Sequence, residues 1–215
     1  MTEFELVDRC RKGNRDAQHM LYVQTSERIY QLLVRMTGSR DTAFDLAQET
    51  YLRAFAHIAQ FDGRSSVATW LYRIAVTQAL QFLRRSKRTR GPLSGDLEPP
   101  AESGTPRSDI RLDVNDALAR LDPGDRSLLL LRYQQGLDYR VISQVLDCKE
   151  GTVASRLNRA RERLRKYLGK SYAPREGMQA PGHPKHRKPG GSPTLSAANT
   201  RWPGRPNPEE PSREL

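Results

Sequence analysis

The stretch TRGPLSGDLEPPAESGTPRSD, Thr89 to Asp109, does most to limit what this chain can fold into. Proline, glycine, serine and glutamate dominate it, and it holds too little apolar surface to offset the entropy of ordering itself. It reads as a linker, so any core has to be built separately before it and after it. A flexible segment of about 20 residues has an r.m.s. span of about 25 Å and extends to about 65 Å, which would let two small domains sit far apart. A second break follows Tyr172, where APREGMQAPGHPKHRKPGGSPTLSAANTRWPGRPNPEEPSREL is again dense in Pro and Gly and is expected to stay disordered. The 215 residues have room for one ordinary domain or two small ones. The expected organisation is a helical domain over 1–88, a linker over 89–110, a second helical domain over 111–170 and a disordered basic tail over 171–215.

Both ordered parts read as helices. DTAFDLAQETYLRAFAHI places Phe44, Ala47, Tyr51, Ala54 (or Phe55) and Ile58 at three- and four-residue spacings, with Asp45, Gln48, Glu49 and Arg53 on the opposite face. SVATWLYRIAVTQALQFLRRSKR repeats the pattern with Trp70, Ile74, Thr77 or Gln78, then Leu80 or Gln81. Between the two lies QFDGRSS, whose Asp62-Gly63 pair and serines mark a loop. Helical patterning resumes in IRLDVNDALARL, GDRSLLLLRYQQG and DYRVISQVLD. No internal repeat is visible, and the expected class is all-α.

Formal net charge is +11 with pI about 10, which points to a polyanionic partner. Its placement is more telling than its total. Residues 84–90 hold 5 Lys/Arg and no acid, and 150–170 hold 7 against 2, so two short segments carry +10 of the +11. Charge spread for solubility would not concentrate this way.

The second of these segments has a geometry to go with its charge. Asp138 can N-cap a helix Tyr139–Leu146 whose apolar side is Val141, Ile142, Val145 and Leu146. Asp147-Cys148-Lys149 then forms a three-residue turn, where aspartate tolerates a positive φ less comfortably than glycine. A second helix opens on Glu150, favourable at a positive helix N-terminus, with Val153, Leu157, Ala160, Leu164 and Leu168 as its buried stripe. Ser155, Arg156, Asn158, Arg159 and Arg163 remain outside that stripe. A first helix bracing a second whose polar residues reach base edges in the major groove is a helix-turn-helix. The bland alternative is a surface helix laced by Arg/Glu pairs. Against it, Glu162 is the only acid between Gly151 and Leu168.

In the first half the cluster RRSKRTR, with Arg84, Arg85 and Lys87, follows a helix carrying Trp70, Tyr72 and Phe82 and a serine-rich loop. Aromatic and polar groups beside a cationic strip suit unpaired bases and phosphates. Trp70 itself reads better as a core residue.

Other classes find little support. Cys10 and Cys148 have no Cys or His at metal-ligand spacing, so neither a disulfide framework nor a zinc site is expected, and two free thiols suit a reducing cytosol. The opening MTEFELVDRCRKGN has no apolar h-region and no apolar run approaches 18 residues, so neither a signal peptide nor a membrane span is expected. No Gly-rich phosphate loop or Ser/His/Asp set appears, and His19, His57, His183 and His186 are scattered, so neither enzyme chemistry nor a cofactor is expected. An autonomous helix-turn-helix regulator would account for residues 112–168 but leave the face near Glu49 and the basic strip after Phe82 idle.

DLAQETYLRAFAHIAQFDGRSSVATWLYRIAVTQALQFLRR, followed by LLLLRYQQGLDYRVISQVLDCKEGTVASRLNRARERLR, resembles the extracytoplasmic-function sigma factors of bacterial RNA polymerase over roughly residues 5–170. The resemblance implies a region-two-like helical bundle and a region-four-like helix-turn-helix domain joined by the linker. It implies that Asp45, Gln48, Glu49, Leu52 and Arg53 dock on the β′ clamp helices of core polymerase. The loop Arg64, Ser65, Ser66 and Val67 and the helix through Arg73 and Thr77 would capture and open the −10 element, beside the strip of Arg84, Arg85 and Lys87. Ser155, Arg156, Asn158 and Arg159 fall where the family reads the −35 element, with Arg163 on the same helix. The second domain would also touch the β flap. Core polymerase, promoter DNA and an anti-sigma factor are the implied partners, in the bacterial cytoplasm.

Some positions depart from the family pattern. FDGRSSVATWL exchanges Arg and Asp relative to the usual loop and puts Val67 where an aromatic is common. Thr77 stands where an Asn is usual, and Ala154 where a Lys or Arg is frequent, which removes a contact at the −35 element. Its −10 and −35 sequences are therefore expected to differ from those of typical members.

Overall fold

A computed structural model of the chain describes residues 1–90 and 108–168, which belong to a single unit. The described residues form eight α-helices: α1 (Glu3–Arg11), α2 (Arg15–Thr37), α3 (Arg40–His57), α4 (Val67–Arg90), α5 (Ser108–Ala119), α6 (Pro123–Leu129), α7 (Tyr139–Leu146) and α8 (Glu150–Leu168). A 3-10 turn, Ile58–Gln60, follows α3, and a wide π-turn, Leu130–Gln134, extends α6. Most of the expected linker, 91–107, and the expected tail, 171–215, lie outside the described residues.

Local chemistry sets the helix boundaries. Thr2 and Glu5 form a capping box that opens α1: Thr2 N donates to Glu5 Oε2 at 2.8 Å and Glu5 N to Thr2 Oγ1 at 3.2 Å. Asn14 Oδ1 accepts from Ala17 N at 2.8 Å to start α2. That helix stops at Gly38, whose φ of 74° disfavours any side chain, and Ser39 at once caps α3. So short a connection makes α2 and α3 close neighbours.

One hydrophobic cluster runs from Leu6 to Ala160 and takes in residues from both described stretches, 1–90 and 108–168. Leu32, Leu33, Leu71, Leu128, Leu131 and Ile142 are fully enclosed, each worth about 1.5–3 kcal/mol relative to exposure. Tyr51 is buried in the first bundle, sharing a 2.7 Å hydrogen bond with Thr25 Oγ1 and meeting Tyr22 edge-on at 4.8 Å between ring centroids. Its burial raises the phenol pKa far above the ordinary value.

The inward face of α4 differs from the expected stripe. Leu71, Tyr72, Ala75, Val76, Gln78 and Ala79 are buried. Of the expected positions, Trp70, Ile74 and Leu80 are half-buried at the core edge, Gln78 is buried and Thr77 is exposed. Small residues let α4 lie close to its neighbours, and the stripe read from its largest side chains misses them. Trp70 packs on the core edge with its ring centroid 5.5 Å from that of Phe61, as a core residue. On α3 the buried set is Ala43, Leu46, Ala47, Thr50, Tyr51 and Ala54, with Phe44 at the margin.

The later helices pack directly on the earlier ones, α7 against α4 and α6 with its π-turn against α2. Tyr72 Oη donates to Gln135 Oε1 at 2.8 Å, and burial raises the pKa of that phenol too. Arg126 is only 4% exposed. Its Nε donates to Leu118 O at 2.8 Å, its Nη2 to Ala119 O at 2.6 Å and its Nη1 to Met36 O at 2.6 Å. Burial depresses its pKa, and Asp122 partly counters that. No helix among the described residues is long and apolar enough to cross a membrane.

Candidate nucleic-acid interface

The helix-turn-helix forms where its sequence signals lie. Asp138 Oδ1 accepts from Val141 N at 2.8 Å and opens α7, whose Ile142 and Val145 are buried. Asp147 ends it at φ 52° and ψ 53°, the only non-glycine residue with positive φ among those described. Its N–H and that of Cys148 both donate to Ser143 O, so that last-turn carbonyl is not left bare. Helix α8 then starts at Glu150 and buries Val153, Leu157 and Ala160. Cys148 is half-buried against the core.

Of the five residues expected to meet the −35 element, Ser155, Asn158 and Arg159 are exposed on α8. Ser155 Oγ donates to Thr152 O at 3.1 Å, Arg159 Nε to Ser155 O at 3.4 Å, and Arg161 Nη2 to Asn158 Oδ1. Arg156 and Arg163 are engaged elsewhere. Both pair with Asp125 of α6, at 3.3 Å to Oδ1 and 2.6 Å to Oδ2. Sequence reading missed Asp125. An acid at the start of a short helix looks like ordinary helix-terminus chemistry, and its partners lie 31 and 38 positions away.

The residues expected at the −10 element lie in the loop before α4 and along most of its length. Asp62 turns the loop: its Oδ1 accepts from Arg64 N at 3.1 Å, and its carboxylate pairs with Arg64 at 3.1 Å. Ser66 Oγ accepts from Thr69 N at 3.1 Å and caps α4. Glu3 of α1 reaches in so that Val67 N donates to its Oε1 at 2.7 Å, a role nothing in the local sequence announces. Arg64 and Ser66 are exposed and Ser65 is half-buried, but Val67 is 4% exposed and packs inward. Arg73 pairs with Asp147 at 3.3 Å across the contact of α4 and α7. Thr77, Arg84, Arg85 and Lys87 are exposed further along α4.

On α3, Asp45, Gln48, Leu52 and Arg53 are exposed and Glu49 is half-buried. Glu49 holds Arg53 in a one-turn ion pair, and Leu52 is 67% exposed beside it. A solvent-facing leucine flanked by fixed charges suits a protein contact more than a nucleic-acid one. A separate cleft of about 560 Å³ is lined by Val114, Leu118, Leu129, Leu130 and Leu164, with Arg35, Arg161 and Arg165 also bordering it. Gln134 lines it as well, and its Oε1 is buried without a hydrogen-bond partner.

Comparison with known proteins agrees with this arrangement. Residues 21–89 match the family Sigma-70 region 2, and residues 111–164 match Sigma-70, region 4. The chain is 34% identical over 180 residues to the RNA polymerase sigma-H factor of Pseudomonas aeruginosa, covering 76% of this chain and 92% of that one. It is 33% identical over 179 residues to the ECF RNA polymerase sigma-E factor of Haemophilus influenzae, covering 76% and 94%. Among solved structures, it is similar to the sigma factor RpoE in complex with the anti-sigma factor NepR from Bartonella quintana. The TM-score is 0.56 and the identity 26%, over 70% of this chain and 94% of that one. CnrH in complex with the cytosolic domain of CnrY shares the fold, with a TM-score of 0.58 at 21% identity over 74% and 92%. Two regions in the family's order, and relatives aligned over nearly their whole length, place this chain in the ECF group of RNA polymerase sigma factors.

Proposed function

We propose that this sigma factor reads the −35 element with Ser155, Asn158 and Arg159 of α8. The −10 element is taken by Arg64, Ser65, Ser66, Arg73 and Thr77, with Arg84, Arg85 and Lys87 along the phosphates. The observation that carries this reading is the α7–α8 pair, whose Asp147 elbow leaves the polar side of α8 open to solvent. Asp45, Gln48, Glu49, Leu52 and Arg53 form the proposed docking face for the β′ clamp helices, and the cleft bordered by Leu118, Leu130 and Leu164 receives the β flap. Val67 acts by packing the loop against the core.

The protein works by binding and not as an enzyme. Capture of unpaired bases shifts the duplex toward its open form without hydrolysis. It acts in the bacterial cytoplasm with core polymerase. The pairing of Bartonella quintana RpoE with NepR supports an anti-sigma factor as a further partner.

Transcription in vitro with core polymerase on a library of genomic promoter fragments tests this reading. New discrete start sites that appear only with the protein, and vanish when Ser155, Asn158 and Arg159 are replaced by alanine, are expected. Tight, specific duplex binding by the protein alone, without new start sites, would instead mark an autonomous regulator.

A further inference from the structure

We infer that Asp125 is a positioning residue for promoter recognition, setting the roll of α8 through Arg156 and Arg163. Asp125 is 7% exposed and spends both carboxylate oxygens on these two guanidinium groups. Arg156 and Arg163 lie seven positions apart, about two turns, so they leave α8 on one face and converge on one carboxylate. Two legs meeting at one point resist both sliding and rolling of the helix. Ser155, Asn158 and Arg159 share a neighbouring face by their three- and four-residue spacing, so any roll of α8 turns them away from the bases.

Gly124 supplies the second half of the seat. A Cβ at that position would stand 2.8 Å from Arg156 Nη2, so the guanidinium occupies space that any other residue would fill. The pairing has an electrostatic consequence as well. A single carboxylate cancels one of the two positive charges and holds both side chains, so the pair adds less to sequence-blind attraction than two free arginines would. The clamp thus favours discrimination over raw affinity.

This rests on the reading of α8 as the −35 reader. The test uses full-length protein with core polymerase on a promoter found by start-site mapping, with its −35 element native or scrambled. Asp125→Asn is expected to lower the native-to-scrambled ratio about tenfold, on the order of losing one base pair of reading. It is also expected to steepen the salt dependence of binding by up to about one in log–log slope, as the one charge Asp125 cancelled becomes available to phosphates. Asp125→Glu, which keeps the charge, restores most of the ratio. Loss of folding stability alone would weaken both templates equally and move neither the ratio nor the slope. Should Asp125→Asn fail to fold by circular dichroism, Gly124→Ala displaces the Arg156 tip with every charge kept, and the ratio should fall about threefold. An unchanged ratio in a folded variant overturns the inference and leaves the −35 reading intact. If the unaltered protein does not discriminate between the templates, the −35 reading falls and takes the inference with it.

Discussion

Arg126 and Met36 meet across 90 positions of sequence, the guanidinium Nη1 donating to the methionine carbonyl at 2.6 Å. Met36 lies in the last turn of α2, and the other carbonyls that Arg126 reaches, at Leu118, Ala119 and Leu121, lie at the end of α5 or just past it. Two helix C-termini, each bearing partial negative charge and carbonyls with no partner inside the helix, thus share one cation.

Removing that cation should be costly. Arg126→Met keeps the apolar stem but leaves buried carbonyls unpaired, and a loss of about 3–5 kcal/mol is expected. Arg126→Lys should recover part of this, because an ammonium lacks the fork that reaches several carbonyls. Urea unfolding measures it, and a loss below about 1 kcal/mol would show that the carbonyls find other donors.

Alkaline stability should follow the buried phenols. Burial raises the Tyr51 pKa, so above about pH 10 the folded chain holds a proton that the unfolded chain has released. Stability is complete below that pH and falls as pH rises past it. Tyr72 contributes in the same direction. Tyr51→Phe should flatten the decline of the urea midpoint between about pH 9 and about pH 11, at a cost of about 1 kcal/mol for the partner lost by Thr25. An equally steep decline in the variant would place the titration elsewhere.

The two thiols should separate kinetically. Cys10 is 1% exposed and burial raises its pKa, whereas Cys148 is half-buried at the turn before α8. With an aromatic disulfide reagent near neutral pH, one equivalent should react promptly and the second only in denaturant. Cys148→Ser should abolish the prompt phase. Prompt reaction of both thiols would mean that α1 opens readily.

What could be read in advance divides along physical lines. The turn at Asp147, the cap at Asp138 and the start of α8 were legible because each depends on residues within one turn of the chain. The stripe of α4 was partly read. Gln78 is buried as allowed for, but the centre runs through Leu71, Val76 and the fully buried Ala75 and Ala79, so the large edge residues Trp70 and Ile74 drew the stripe to one side. Asp125, Arg126 and Glu3 were invisible for a different reason. Each is an ordinary charged residue locally, and its role is completed by a partner 31 to 90 positions away.

Glu3 illustrates this and can be tested. Its carboxylate accepts from Val67 N at the first turn of α4, directly after the serine-rich loop. Glu3→Ala should cost about 1 kcal/mol, as loss of a cap does, and speed hydrogen exchange at the Val67 amide. Unaltered exchange there would mean that solvent replaces the carboxylate without loss.

Asp147 carries a consequence for how this protein tolerates change. Its side chain is 83% exposed and its ion pair with Arg73, also at the surface, adds little. Its backbone, however, is left-handed, which costs most residues about 1–2 kcal/mol. A survey of all replacements should accept glycine and asparagine and reject valine and isoleucine, making a solvent-facing position as restrictive as a buried one, with the preferences of a left-handed turn. Drift in a lineage would then be confined there by a torsion angle and not by any contact.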